Sequence, residues 1–151
     1  MGSITTVIFD VFETLFPNGT DQWLETFRAI CRIQQLPVEP EVLWREWKTL
    51  EVNFRQVRIN LESPEKTLAF KSYTEVWRDC FTTAFNRLKL TGDPEKAAAK
   101  AVDDLAQREP FEDTIEAITD IQKKWRTGVL SNADDAFLLP LIERYRFNRT
   151  F

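Results

Sequence analysis

Asp10 directly follows the apolar run Ile4–Phe9, and few side chains in this sequence are better placed to do chemistry. The chain contains no histidine. That removes Ser-His-Asp and Cys-His machinery, and it removes imidazole metal sites. A metal here must be a hard cation held by oxygen, and carboxylate chemistry is what remains. A carboxylate at a strand end, facing a turn of free backbone N–H groups, can attack an electrophile while those groups hold the transferred or departing anion. The plainer role for Asp10 is a helix cap or a solvated aspartate. Ser131 ends a second apolar run, Gly128-Val129-Leu130, and is read either as an anion ligand or as the N-cap of the next helix. Glu13, three residues after Asp10, reads as solvated, because neighbouring turn residues point in different directions. Cys31 and Cys80 sit inside apolar helical patterns and read as inert core thiols.

The elements that must position these residues follow from periodicity. Residues 4–10 form a short, β-branched, apolar run, the pattern of a strand buried on both faces of a parallel sheet. Residues 127–131 are a second such strand. Phe16-Pro17-Asn18-Gly19 breaks the first, and Thr20 or Asp21 caps a following helix. From residue 21 to about 107 the pattern is helical. Leu24, Phe27 and Cys31 recur at helical spacing, as do Leu43, Trp47, Leu50, Phe54 and Val57 behind Pro40. A third segment carries Tyr73, Val76, Trp77, Cys80, Ala84 and Leu88, and a fourth starts near Asp93-Pro94. Such helices can bury a shared core as a small bundle. Phe111–Lys124 reads as a further amphipathic helix with Ile115, Ile118 and Ile121 on one side, and 133–145 as a last one. Residues 1–16 and 108–151 are thus expected to form a discontinuous α/β layer, with 17–107 inserted as a helical cap. Ligands of open α/β sheets bind at the carboxyl ends of the strands, where Asp10 and Ser131 fall.

Composition narrows the function. With 43% hydrophobic and 29% charged residues the chain is ordinary for a globular domain, and its 151 residues suggest one domain on length alone. A formal charge of −4 offers no footprint for nucleic acid. No apolar stretch approaches a membrane span, and the N-terminus lacks signal-peptide regions. The expectation is a cytoplasmic protein acting on a small molecule, with neither nucleic acid nor membrane as partner. Asn-x-Thr sequons at Asn18 and Asn148 then carry no meaning for glycosylation.

The segment Val7-Ile8-Phe9-Asp10-Val11-Phe12-Glu13-Thr14-Leu15-Phe16 resembles the first motif of the haloacid dehalogenase (HAD) superfamily, an apolar strand followed by Asp-x-x-x-Thr-Leu/Val. Gly128-Val129-Leu130-Ser131-Asn132 is similar to the second, an apolar strand ending in Ser or Thr. A helical cap between the two, and the Pro110-Phe111-x-Asp113 entry to the helix before the second, are also family-like. The resemblance implies a Rossmannoid core with an inserted four-helix cap, and a hydrolase in which Asp10 attacks phosphorus or carbon to form a covalent aspartyl intermediate. It implies that Thr14 steadies the turn and that Ser131, with N–H groups near Asn132, holds the transferred group. Phe12 would stand beside the substrate. In the phosphatase case Mg²⁺ would be held by Asp10 and the Phe12 backbone carbonyl; in the 2-haloacid dehalogenase case no metal is implied. Trp44-Arg45-x-Trp47-Lys48 loosely resembles the dehalogenase segment whose arginine contacts the substrate carboxylate, which makes Arg45 a substrate-binding candidate. Beside that stands its reading as a surface arginine next to Glu41 and Glu46.

Two departures qualify the resemblance. Family phosphatases place a second Asp, the general acid, two residues after the nucleophile, where this chain has Phe12. An apolar ring transfers no proton, and a halide leaving group needs none. The family's later motifs, a Lys and an acidic pair, have no counterpart: no Lys follows Lys124, and Asp134-Asp135 read as first-turn helix residues. A lone parallel pair leaves both edges uncovered. The sheet is therefore expected to be incomplete in these 151 residues, and self-association is one way to complete it. A non-catalytic protein that keeps the fold is the alternative to an enzyme.

Overall fold

The computed structural model describes residues 4–59 and 61–147. The strands are β1 (Thr6–Phe9) and β2 (Arg126–Val129). The helices are α1 (Thr20–Gln34), α2 (Pro40–Val57), α3 (Tyr73–Leu88), α4 (Pro94–Ala106), α5 (Thr114–Gln122) and α6 (Asp135–Tyr145), with a 3₁₀ turn at Pro64–Lys66. Two compact units result. One is Trp23–Val102, and the other joins the chain up to Gln22 with the chain from Asp103 onward.

In the second of these, β1 and β2 are parallel neighbours, with Thr6 opposite Arg126 and Phe9 opposite Val129. Both strands are shorter than the apolar runs suggest. Phe9 and Val129 pack on a cluster of Val11, Leu15, Phe16, Ile118, Leu141 and Phe147, to which α5 and α6 both contribute. Burial on both faces, expected from composition, is not what the structure has. Side chains alternate across a strand, and Ile8, pointing away from Phe9, is 57% exposed. α5 also differs from expectation. It begins at Thr114, because the Phe111 N–H bonds to the Leu15 carbonyl at 3.0 Å rather than entering a helix. Ile118 is its buried anchor, whereas Ile115 faces solvent.

The unit Trp23–Val102 closes a core of its own. Phe27, Ile30, Leu43, Trp47, Trp77, Phe81 and Ala84 are buried where helical spacing puts them. Trp47 lies within 5.1–5.9 Å, centroid to centroid, of Trp23, Phe27, Trp77 and Phe81. Most cap tryptophans therefore pack the core, with Trp44 half-buried. Helix ends are well made. Ser72 and Glu75 form a reciprocal capping box on α3, and the Asp93 carboxylate accepts from the Glu95 and Lys96 N–H groups at the start of α4. Cys31 and Cys80 are free and buried, and burial drives the Cys80 thiol up to about 12, as inert core thiols require. Among the described residues no helix is long and apolar enough to cross a membrane.

Candidate active site

Asp10 leaves the carboxyl end of β1 and is exposed. The chain then turns back within six residues. The N–H groups of Leu15 and Phe16 both reach the Val11 carbonyl, at 2.8 and 3.0 Å, and the Glu13 N–H donates to the Phe16 carbonyl at 2.8 Å. Closing so small a loop forces Glu13 to φ 64°, a left-handed conformation uncommon for a residue with a Cβ. Burial of Val11, Leu15 and Phe16 holds it there. The Phe12 and Thr14 N–H groups bond to no acceptor among the described residues, so the turn presents free donors near Asp10. The Thr14 hydroxyl donates to Asp10 Oδ2 at 3.4 Å, a long contact that orients more than it stabilises.

The other turn residues face away from this chemistry. The Phe12 ring packs on Phe137 of α6 at 5.9 Å. Glu13 is exposed, as the sequence suggested, and its carboxylate also accepts a hydrogen bond from the Asn18 N–H that braces the following loop. Two residues that sequence reasoning passed over hold the same loop. Arg108, buried, donates from Nη1 to the Pro17 carbonyl at 2.7 Å and to Asn18 Oδ1 at 3.0 Å. The buried Thr114 hydroxyl donates to the Leu15 carbonyl at 3.2 Å. Both contacts join residues some 90 or more positions apart in sequence, which local patterns cannot reveal.

Ser131 and Asn132 leave the same end of the sheet. The Leu130 N–H bonds to the Phe9 carbonyl at 2.9 Å, which fixes β2 one step from Asp10. Ser131 does not cap α6: that position belongs to Asp134, with Asp135 in the first turn. Ser131 is half-buried and Asn132 exposed. The structure thus gathers Asp10, Phe12, Thr14, Ser131 and Asn132 at one end of one sheet. Arg45 lies in the other unit, exposed on α2, and the neighbouring Glu41 and Glu46 pair instead with Arg28 and Arg87 at 3.1 and 2.6 Å.

Magnesium prefers six oxygen ligands, usually one or two carboxylates with waters and substrate phosphate. No group of three metal-binding side chains exists among the described residues. Asp10 with the Phe12 carbonyl is a partial donor set, and these residues alone do not form a cation site.

No family model matches the sequence, and no curated protein sequence gives a significant match. Solved structures do match. HAD-hydrolase YfnB from Bacillus subtilis, bound to magnesium, has a TM-score of 0.70 at 14% identity, covering 97% of this chain and 60% of its own. L-2-haloacid dehalogenase from Xanthobacter autotrophicus gives 0.65 at 19% identity, covering 97% and 54%. L-2-haloacid dehalogenase RSc1362 gives 0.66 at 20% identity, covering 94% and 59%. The fold is that of HAD proteins, a partial Rossmannoid core with a helical cap, and the chain spans between half and two thirds of these structures.

Proposed function

We propose that Asp10 is the nucleophile of a HAD-type hydrolase acting on a small molecule, and that a 2-haloacid is the substrate class the site suits best. In the first step an Asp10 carboxylate oxygen bonds to the halogen-bearing carbon while the carbon–halogen bond breaks and the halide leaves with the electron pair. In the second, water adds at the Asp10 acyl carbon, splits the ester and returns the carboxylate and a 2-hydroxyacid, its proton passing to solvent. Thr14 steadies one carboxylate oxygen. Ser131 and N–H groups near Asn132 hold the substrate's anionic end.

One observation carries this reading. Among the described residues of the turn that follows β1, Asp10 is the carboxylate not engaged in bracing the loop, and two N–H groups of that turn have no acceptor there. Phe12 selects the substrate class. Held against Phe137, it supplies no proton, which an alcohol leaving group needs and a halide does not. The structural likeness to L-2-haloacid dehalogenases supports the same choice. A phosphate ester with Mg²⁺ is the second reading, favoured by the likeness to magnesium-bound YfnB.

The test is covalent capture. Incubation with a 2-haloacid, followed by mass spectrometry of the peptide containing Asp10, is expected to find an ester on Asp10 and free halide in solution. Asp10→Asn should give neither, with an unchanged circular dichroism spectrum. Phosphate release from monoesters that stops on chelation would transfer the assignment to the second reading. Adducts at other residues, or none with either substrate class, would leave a non-catalytic protein with a HAD fold.

A further inference from the structure

A cavity of about 630 Å³ opens at the amino end of the sheet, the end away from Asp10. Its walls are the approach to β1, at Ile4 and Thr5, and the link from α5 to β2. Pockets of roughly 300–1,000 Å³ are the size that takes in a small organic ligand. The link is firmly held. The Lys124 and Trp125 N–H groups both bond to the Ile121 carbonyl, at 3.0 Å, and the Arg126 N–H bonds to the Thr5 carbonyl at 3.1 Å. The wall therefore carries Lys123, Lys124, Trp125 and Arg126 in succession, all exposed, and no carboxylate among the described residues. Lys123 is already paired, with Asp120 at 2.5 Å. Lys124 stands 5.8 Å from the centre of the Trp125 ring. Among the described residues neither Lys124 nor Arg126 has an ion-pair partner. A chain of net charge −4 thus keeps two uncompensated cations at the mouth of a cavity, where they raise the local concentration of anions.

We propose that this cavity is a second ligand site and that it takes a nucleoside phosphate. The Arg126 guanidinium offers a planar fork that matches phosphate oxygens, and Lys124 adds a point charge beside it. Trp125 and Ile4, 36% and 74% exposed, supply a flat apolar surface for a base. Ring and charge lie side by side, so the occupant must be anionic and flat at once. Inorganic phosphate would leave Trp125 and Ile4 in water, and an uncharged ring would leave both cations unmatched. Gln122 gives its Nε2 to Thr127 Oγ1 at 3.0 Å, and its amide oxygen is left to accept from the amino group of a base. Substrates of open α/β sheets bind at the carboxyl ends of the strands. A cavity at the amino end is therefore separate from the chemistry at Asp10, and the inference does not depend on which reaction occurs there.

The experiment uses the full chain in a chelator, with ADP, pyrophosphate and adenosine as probes in isothermal titration calorimetry. ADP is expected to bind, and the other two to bind roughly 10-fold or more weakly, since each reaches one half of the site. The double variant Lys124→Gln/Arg126→Gln should weaken ADP by roughly 10-fold or more, as loss of charge-assisted hydrogen bonds does. Trp125→Leu should weaken it by a similar factor through lost stacking. Circular dichroism checks that both variants keep their helices, and the two act through different contacts, so failure of one to fold leaves the other as the test. Asp10→Asn should leave the affinity for ADP as it is. An affinity lost in Asp10→Asn would place the ligand at the carboxyl ends of the strands and overturn the proposal. Pyrophosphate binding as tightly as ADP, or ADP failing to bind at any attainable concentration, would overturn it as well.

Discussion

The two units bury apolar surface by different means. In Trp23–Val102 four helices satisfy their own backbone groups and turn their rings inward, so the unit closes without help. In the other unit two parallel strands have one face covered by α5 and α6, while Ile8 and Leu130, 73% exposed, and both strand edges have no cover among the described residues. A helix needs a neighbour for one stripe of side chains. A strand needs neighbours on two edges as well as cover on two faces. The described residues therefore hold one core that closes on itself and one sheet that is covered on a single face.

The sharpest way to break that comparison is to change apolar packing in each unit. Trp47→Ala removes a ring that is 1% exposed and touches four others. It should cost about 3–5 kcal/mol and abolish cooperative helical unfolding in urea. Gly92→Ala in the same unit adds a Cβ that would meet Phe85 ring atoms at 2.5 and 2.9 Å, and should cost about 1–3 kcal/mol by overpacking. Ile8→Ala, on the open face, should cost no more than about 0.5 kcal/mol. An Ile8→Ala penalty near that of Trp47→Ala would mean that the face is covered in solution and that the two units do not differ in this way.

Hydrogen exchange sharpens the contrast at the backbone. Amides of α1 and α3 should exchange far more slowly than those of Thr6–Phe9 and Arg126–Val129. Self-association that completes the sheet would make strand protection rise with protein concentration, while protection in the helices stays constant. Strong, concentration-independent protection in both strands would count against an incomplete sheet.

How much of this was legible beforehand depended on range. The helices of the cap were readable because Phe27, Trp47 and Trp77 repeat at the local period that packing imposes. The parallel pairing and the shared end of Asp10 and Ser131 were readable because each apolar run stops at a polar residue. What escaped was set at distance. The open face of Ile8 depends on which helices return to cover it, and an apolar run looks the same whether one face or both are covered. The brace from Arg108 to Pro17 joins positions that no periodicity relates. The exposure of Glu13 was readable, but not its hydrogen bond from the Asn18 N–H, because a carboxylate that accepts a backbone N–H is not distinguishable, by type, from one wholly in water.

The smallest expected effect separates the units by pH. In the cap, the Asp79 carboxyl is held below the ordinary aspartate range, first by the hydrogen bond from Lys71, which outweighs the opposing effect of burial, with further help from Arg78. A depressed pKa means that the unfolded chain binds the proton first. This contribution is present at neutral pH and is lost as pH falls below about 4, through the depressed value. The pair is half exposed, so solvent screens it and its contribution to stability is small. In the other unit, Tyr145 is pushed up, first by burial and then by the hydrogen bond its hydroxyl donates to Glu109 at 2.5 Å. Here the folded state keeps the proton longer, so stability holds below the ordinary tyrosine value near 10 and falls as pH rises past it. Asp79→Asn should therefore lower neutral stability slightly and flatten the acid limb of cap unfolding, followed by far-ultraviolet circular dichroism. Tyr145→Phe should flatten the alkaline limb and leave the acid limb unchanged. If each substitution shifted the unfolding of both units, unfolding of the two would be one event, and the independence of their cores would not survive the measurement.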